Sequence, residues 1–215
     1  MGIVERRERE REALRARILE AARDIVSDQG LDALSMRAIA ERIEYSPATI
    51  YLYFRDKDAL LIDVVQAGFE RMREYIDEEL REAGEDATPA TQFLALGRAY
   101  VRFALENTAY FRVMFELPKV SQFECSAGTC KREGEDLPRD VASNVIQRAI
   151  DGGYFRVPDA GRVALVGWGL VHGLTSLYLS GHLSEEVNSA GDFLDMVEEA
   201  MALLGVGLAP RKEQE

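Results

Sequence analysis

The chain has 215 residues, 47% hydrophobic and 30% charged, the make-up of an ordinary soluble protein able to bury a substantial core in one or two domains. Its net charge of -12 is uneven: residues 1–57 carry eleven Lys and Arg against eleven Asp and Glu, so the remainder holds the whole deficit, and only the first segment could tolerate a polyanion nearby. The opening MGIVERRERERE has no apolar core of signal-peptide type, so secretion is not expected, and Cys125 and Cys130 fit a reducing cytoplasm.

Nearly everything reads helical. Ala13, Leu14, Ile18, Ala21, Ala22, Ile25 and Val26 recur at three and four, and Gly30 stops the pattern. The Arg/Glu run at residues 5–12 reads as a solvated helix start with Glu5 pairing Arg9; an arm reaching DNA is the alternative. Ser35 caps MRAIAERI, and Ser46 caps a third helix with Pro47 at its first position, where a missing N–H costs nothing. Asp56 caps a fourth, with Leu60, Leu61, Val64 and Val65 inward, fading near Gly84. Thr88-Pro89 opens a helix striped by Phe93, Leu96, Tyr100, Phe103 and Ala104, and a short helix over 109–117 stops at Pro118. Residues 118–137 have no period and read as a mobile loop. Val141, Val145, Ala149 and Ile150 stripe the next helix, which Gly152-Gly153 ends. Asp159 opens an apolar helix to Gly181; its stretch Val163–Leu179 is 17 residues, holds a His and three glycines, and reads as buried, not as a membrane span. Phe193, Met196, Val197, Ala200, Met201 and Leu204 line the last helix. The expected fold is all-α, with about nine helices, no strand and no internal repeat.

SMRAIAERIEYSPATIYLYF reads as helix, tight turn, helix. Ile39, Ile43, Ile50 and Phe54 can form one small core with the first helix, leaving Pro47, Ala48, Thr49, Tyr51, Leu52 and Tyr53 with none to fill. In a helix-turn-helix that surplus meets the DNA major groove. Tyrosine hydroxyls can donate to phosphates, and Leu52 and the Thr49 methyl can meet thymine methyls. Lys57 opens the fourth helix, where the helix dipole disfavours a cation unless a phosphate sits there too.

Residues Leu31 to about Val65 resemble the DNA-binding domain of the TetR family of one-component transcriptional regulators, through SMRAIAERI, SPATIYLYF and KDALL. The resemblance implies an all-α homodimer with a ligand-binding body, in which Arg37 reaches base edges and Thr49, Tyr51, Tyr53 and Lys57 hold DNA. We count Ser35, Ser46, Pro47, Ala48 and Leu52 with that interface. One departure is Glu44, which stands where the family's turn usually carries glycine; it either adopts the left-handed conformation at roughly 1 kcal/mol or the turn is rebuilt. WGLVHGL, with Trp168, His172 and Gly173, and AYFRVMFEL resemble the W–H–G type of C-terminal domain found in one subgroup.

The expected division is a helix-turn-helix domain over 1–57, a helical ligand-binding and dimerisation domain over 58–208 and a tail over 209–215. Phe93, Tyr100, Phe103, Met114, Phe115 and Trp168 either form plain core or line an apolar cavity with His172 and Thr175. Gly169 and Gly173 suggest close helix packing. No nucleophile–base pair, phosphate loop or metal-ligand spacing occurs, so neither an enzyme nor a cofactor is expected. The leading reading is a ligand-responsive regulator, a repressor on a palindromic DNA operator, with a small organic effector as second partner and no membrane role. The alternatives are a helical carrier or enzyme with structural N-terminal helices, or a redox sensor through Cys125 and Cys130.

Overall fold

A computed structural model describes residues 2–115 and 138–210. The described residues form nine α-helices and no strand. They are α1 (Ile3–Gln29), α2 (Met36–Arg42), α3 (Pro47–Tyr51), α4 (Lys57–Ala83), α5 (Pro89–Glu106), α6 (Thr108–Phe115), α7 (Pro138–Asp151), α8 (Ala160–Leu179) and α9 (Ala190–Leu208), with a 3₁₀ turn at Leu31–Ala33. Pro118, Cys125, Cys130 and the whole segment 118–137 fall outside the described residues, so the loop and redox expectations concern chain that is not described. Among the described residues, no helix is long and apolar enough to cross a membrane.

The helix boundaries follow local chemistry. The Ser35 hydroxyl accepts from the Ala38 amide at 3.0 Å, the Ser46 hydroxyl from Thr49 at 3.2 Å, and the Asp56 carboxylate from Ala59 at 2.8 Å. Each satisfies a donor that the first helical turn leaves without an intrahelical partner. Thr88, Asp159 and Ser189 cap α5, α8 and α9 in the same way. Gly30, at φ +83°, ends α1 and donates to the Val26 carbonyl.

The chain divides into two compact units. The first holds α1–α3, α4 as far as Gly68, and α6; the second holds α4 from Phe69, with α5, α7, α8 and α9. The sequence suggests a boundary at Lys57, whereas this division falls inside α4 and places α6 with the first unit. There, Ile18, Ala22 and Ile25 of α1 are buried with Ile39, Ile43, Ile50, Phe54, Leu60, Leu61 and Val64. The buried stripe of α1 begins at Ile18: Ala13 is exposed and Leu14 half-buried, because residues 4–13 have no core beneath them. Along that start, Arg6 pairs with Glu10 at 3.1 Å, while Arg9 donates to the Glu5 carbonyl instead of forming the expected ion pair with its carboxylate. Gly68 lets α4 approach α6, since a Cβ there would lie 3.3 Å from the Tyr110 ring and would overlap the Met114 sulfur.

The second unit is built around α5, whose Phe93, Ala99, Tyr100, Val101, Phe103 and Ala104 are all buried. Phe93 meets Phe155 edge-on at 5.5 Å, Phe103 meets Tyr75 at 6.0 Å, and Tyr178 stacks on Phe193 at 4.2 Å. Gly167 faces the core, where a Cβ would make an ordinary contact with the Phe93 ring at 3.6 Å. The packing expected of Gly169 and Gly173 is not made within the chain: a Cβ at either would meet nothing within 4 Å. Both fall on a face of α8 that also carries Leu165, Val166 and Leu177, all exposed.

Candidate nucleic-acid interface

The turn between α2 and α3 is closed by two backbone bonds. Tyr45 N–H donates to the Ala40 carbonyl at 2.9 Å and Glu44 N–H to the Glu41 carbonyl at 3.3 Å, the paired bonds of a Schellman motif, with Glu44 as its left-handed residue at φ +61°. Of the two outcomes the sequence leaves open for Glu44, the chain takes the strained one. Arg17 braces it from α1, donating to the Ile43 carbonyl at 3.3 Å with its guanidinium 5.6 Å from the Tyr45 ring centre. Glu44→Gly is expected to raise stability by about 0.5–1 kcal/mol, since relief of the left-handed strain exceeds the entropy lost at glycine. Thermal melts of the two proteins check it; a lower melting temperature in the glycine variant would contradict the strain argument.

α3 is thereby held with Ile50 inward at 0% exposure, and Phe54 follows it into the same core. Tyr51 is 57% exposed and Leu52 77%. Pro47 and Ala48 are exposed beside them, and Thr49 and Tyr53 are half-buried. These six residues form one surface on and just after a helix whose core contacts are already complete. Ser35 and Ser46 are exposed, with their hydroxyls committed to capping; the Ser46 oxygen lies 2.9 Å from the Thr49 hydroxyl.

Two cations of this surface have partners inside the chain. Arg37, exposed on α2, donates to Glu41 one turn later at 2.9 Å, and that hydrogen bond holds its pKa above the ordinary arginine value. Lys57 donates to the Leu31 carbonyl at 2.6 Å. The unfavourable position of a cation at the start of α4 is therefore relieved within the unit, which weakens the argument that a phosphate must relieve it. Sequence reasoning missed the Lys57, Arg37 and Arg17 partners. The Arg37–Glu41 spacing was a visible signal; the other two acceptors are backbone carbonyls, which no side-chain pattern marks.

The eight candidate pocket residues do not fall in one unit. Met114 and Phe115 lie on α6 in the first, Met114 against Gly68 and Phe115 beside Phe111 at 5.2 Å. The other six belong to the second, where Phe93 and Phe103 serve the core packing. Tyr100, Trp168 and His172 form a polar chain. The Tyr100 hydroxyl lies 2.7 Å from His172 Nδ1 and is also hydrogen-bonded to Trp168. An indole N–H can only donate, so the phenol oxygen accepts from Trp168 and its own O–H is left for Nδ1. Burial pushes the Tyr100 phenol well above its ordinary pKa, with the Trp168 bond opposing the rise. Thr175, on the same side of α8, is fully buried with no hydrogen-bond partner for its hydroxyl. No group of His, Cys, Asp and Glu among the described residues could hold a metal ion.

Residues 18–64 match the family described as bacterial regulatory proteins, tetR family, and residues 93–203, more than half of the chain, match the tetracyclin repressor-like C-terminal domain. The HTH-type transcriptional repressor KstR of Mycolicibacterium smegmatis is 43% identical over 58 residues, covering 27% of this chain and 28% of KstR. The HTH-type transcriptional regulator UidR of Escherichia coli strain K12 is 40% identical over 62 residues, covering 29% of this chain and 32% of UidR. The matches to these curated relatives thus span less than half of their length. A solved protein of unknown function from Rhodococcus sp. RHA1 is similar at TM-score 0.73 and 27% identity, with 92% of this chain and 96% of that one covered. A regulatory protein in the tetR family from Rhodococcus RHA1 shares the fold at TM-score 0.66 and 18% identity, with 92% and 98% covered.

Proposed function

The chain belongs to the TetR family of bacterial transcriptional regulators, whose members are not enzymes, and on that premise we propose that it is a cytoplasmic, ligand-responsive repressor. It grips a palindromic operator as a homodimer and lets go when a small, uncharged or weakly polar organic molecule enters the second unit. The observation that carries this reading is the surface of Pro47, Ala48, Thr49, Tyr51, Leu52 and Tyr53, which stands beside a complete core. Such a surface suits a groove: hydroxyls for phosphates, apolar groups for thymine methyls. Homodimerisation is supported by Leu165, Val166 and Leu177 of α8 with Leu203 and Val206 of α9, all exposed. An effector is supported by the Tyr100–His172–Trp168 chain and the unpartnered Thr175 hydroxyl. The acidic remainder of the chain disfavours a polyanionic effector.

Selection of bound sequences from random duplex DNA tests the reading; a paired, inverted motif is expected, and enrichment of no motif would overturn it. The exposed surface of α3 lacks Arg, Lys, Asn and Gln, so bidentate base reading, about 1–3 kcal/mol per pair, falls to Arg37. Arg37→Ala is expected to relax specificity at one base pair per half-site, and an unchanged selected motif would contradict it. Lys57 has three donors and can hold both Leu31 and a phosphate. Lys57→Ala should weaken all sequences alike and lower the salt slope by about one per protomer.

A further inference from the structure

The first helix outruns its own core. At one level α1 passes both ends of α3: Arg17 donates to the Ile43 carbonyl in the turn before it, and the Arg15 guanidinium lies 5.5 Å from the ring centre of Phe54 just after it. About three more turns of α1 precede Arg15, exposed from Val4 to Ala13.

The charges on this overhang are sorted by side. Arg7, Arg11 and Arg15 recur every four residues, so they lie within about 80° of one another round the helix, in line with the buried Ile18, Ala22 and Ile25. That is the side on which α1 packs against the rest of its unit. Glu8 and Glu12 are turned about 60° and 100° away from Arg11. Glu5 accepts from the Gly2 amide at 3.0 Å, and Glu10 pairs with Arg6 at 3.1 Å. Arg15 is held by Asp63. Arg7 and Arg11, by contrast, are exposed and have no hydrogen-bond or ion-pair partner among the described residues.

Two unpaired guanidinium forks thus continue, through Arg15, the side of α1 that packs on the DNA-reading elements, and such forks match phosphate oxygens. Along the helix axis Arg11 and Arg7 stand about 6 and 12 Å beyond Arg15. The longer reach equals about three to four base-pair steps at 3.4 Å each. We infer that residues 4–13 of α1 form a DNA-binding arm, with Arg7 and Arg11 on the phosphates that flank each half-site, outside the base pairs that α3 covers. The inference rests on the operator-binding reading above. Phosphate contacts carry no sequence information, so the arm adds affinity and salt dependence and leaves the selected motif as it is.

The test is the affinity of the full chain for duplexes carrying the selected motif with flanks of zero to about six arbitrary base pairs, titrated at several salt concentrations. Wild-type protein should gain about tenfold from the flanks, with a salt slope steeper by about two per protomer. The double variant Arg7→Gln, Arg11→Gln should gain less than about twofold, keep the short-duplex affinity and select the same motif. Glutamine is as good a helix former as arginine, and no core lies beneath these positions, so the variant should fold. A variant with the wild-type flank gain overturns the inference and leaves the stripe a solvated face. A variant that keeps that gain but sediments differently assigns the stripe to a second copy of the chain, and overturns it as well. Wild-type protein that selects a motif but gains nothing from flanks also overturns it. Wild-type protein that selects no motif overturns the operator-binding reading instead, and the inference falls with it.

Discussion

Val166→Asp is expected to convert the protein to a monomer and to lower operator affinity by about 10²–10⁴-fold, the gain that linking two modest binding sites supplies. Val166 is 57% exposed on α8, on a face shared with Leu165, Leu177, Gly169 and Gly173. The two glycines have open space where a Cβ would stand, so a second helix could approach the backbone closely there. A two-fold interface would bring each substitution in twice, burying two carboxylates in an apolar contact, and each ion carries several kcal/mol of desolvation. Each protomer would keep its helix-turn-helix core, which uses none of these residues, so the fold should survive. Sedimentation and operator titration read the two effects separately. A Val166→Asp protein that remained dimeric at micromolar concentration would sink the assignment of this face.

The helix-turn-helix was legible because its determinants are local. Ser35, Ser46 and Asp56 each cap the helix that follows within three residues, and Ile39, Ile43, Ile50 and Phe54 fall inward on a helical period. What was not legible depends on partners far along the chain. Glu79 lies in a charged stretch that reads as solvated, and only Arg98 and Arg102, 19 and 23 residues away, make its burial tolerable. The strained turn at Glu44 is held in part by Arg17 through a backbone carbonyl, which leaves no mark in residue pattern. Gly169 and Gly173 announce close packing, but the pattern cannot say whether the neighbour is in the same chain. The sequence leaves open whether the aromatic residues form plain core or line a cavity, because they look alike in the pattern; burial and ring contacts put Phe93 and Phe103 in the core, while Tyr100 is hydrogen-bonded to His172.

Phe54→Ala should abolish operator binding while leaving the dimer in place. Phe54 is 3% exposed, with the Arg15 guanidinium 5.5 Å from its ring centre, and Arg15 is held in turn by Asp63. Truncating a buried Phe removes about 3–5 kcal/mol, a large fraction of the 5–15 kcal/mol that holds a typical domain. The loss falls on the unit that holds α3, so the DNA-binding surface should melt first. Trp168 is the chain's one tryptophan and lies in the second unit, which lets one sample report both. Its fluorescence follows the second unit, while circular dichroism follows the helices of both units. In the variant, part of the dichroism should be lost at a urea concentration about 2 M lower than in the wild type, for a slope near 2 kcal/mol per molar. The Trp168 transition should move far less, and sedimentation should still show a dimer. Coincident shifts of both probes would mean that the two units unfold as one, and retained operator binding would mean that Phe54 does not support the surface that reads DNA.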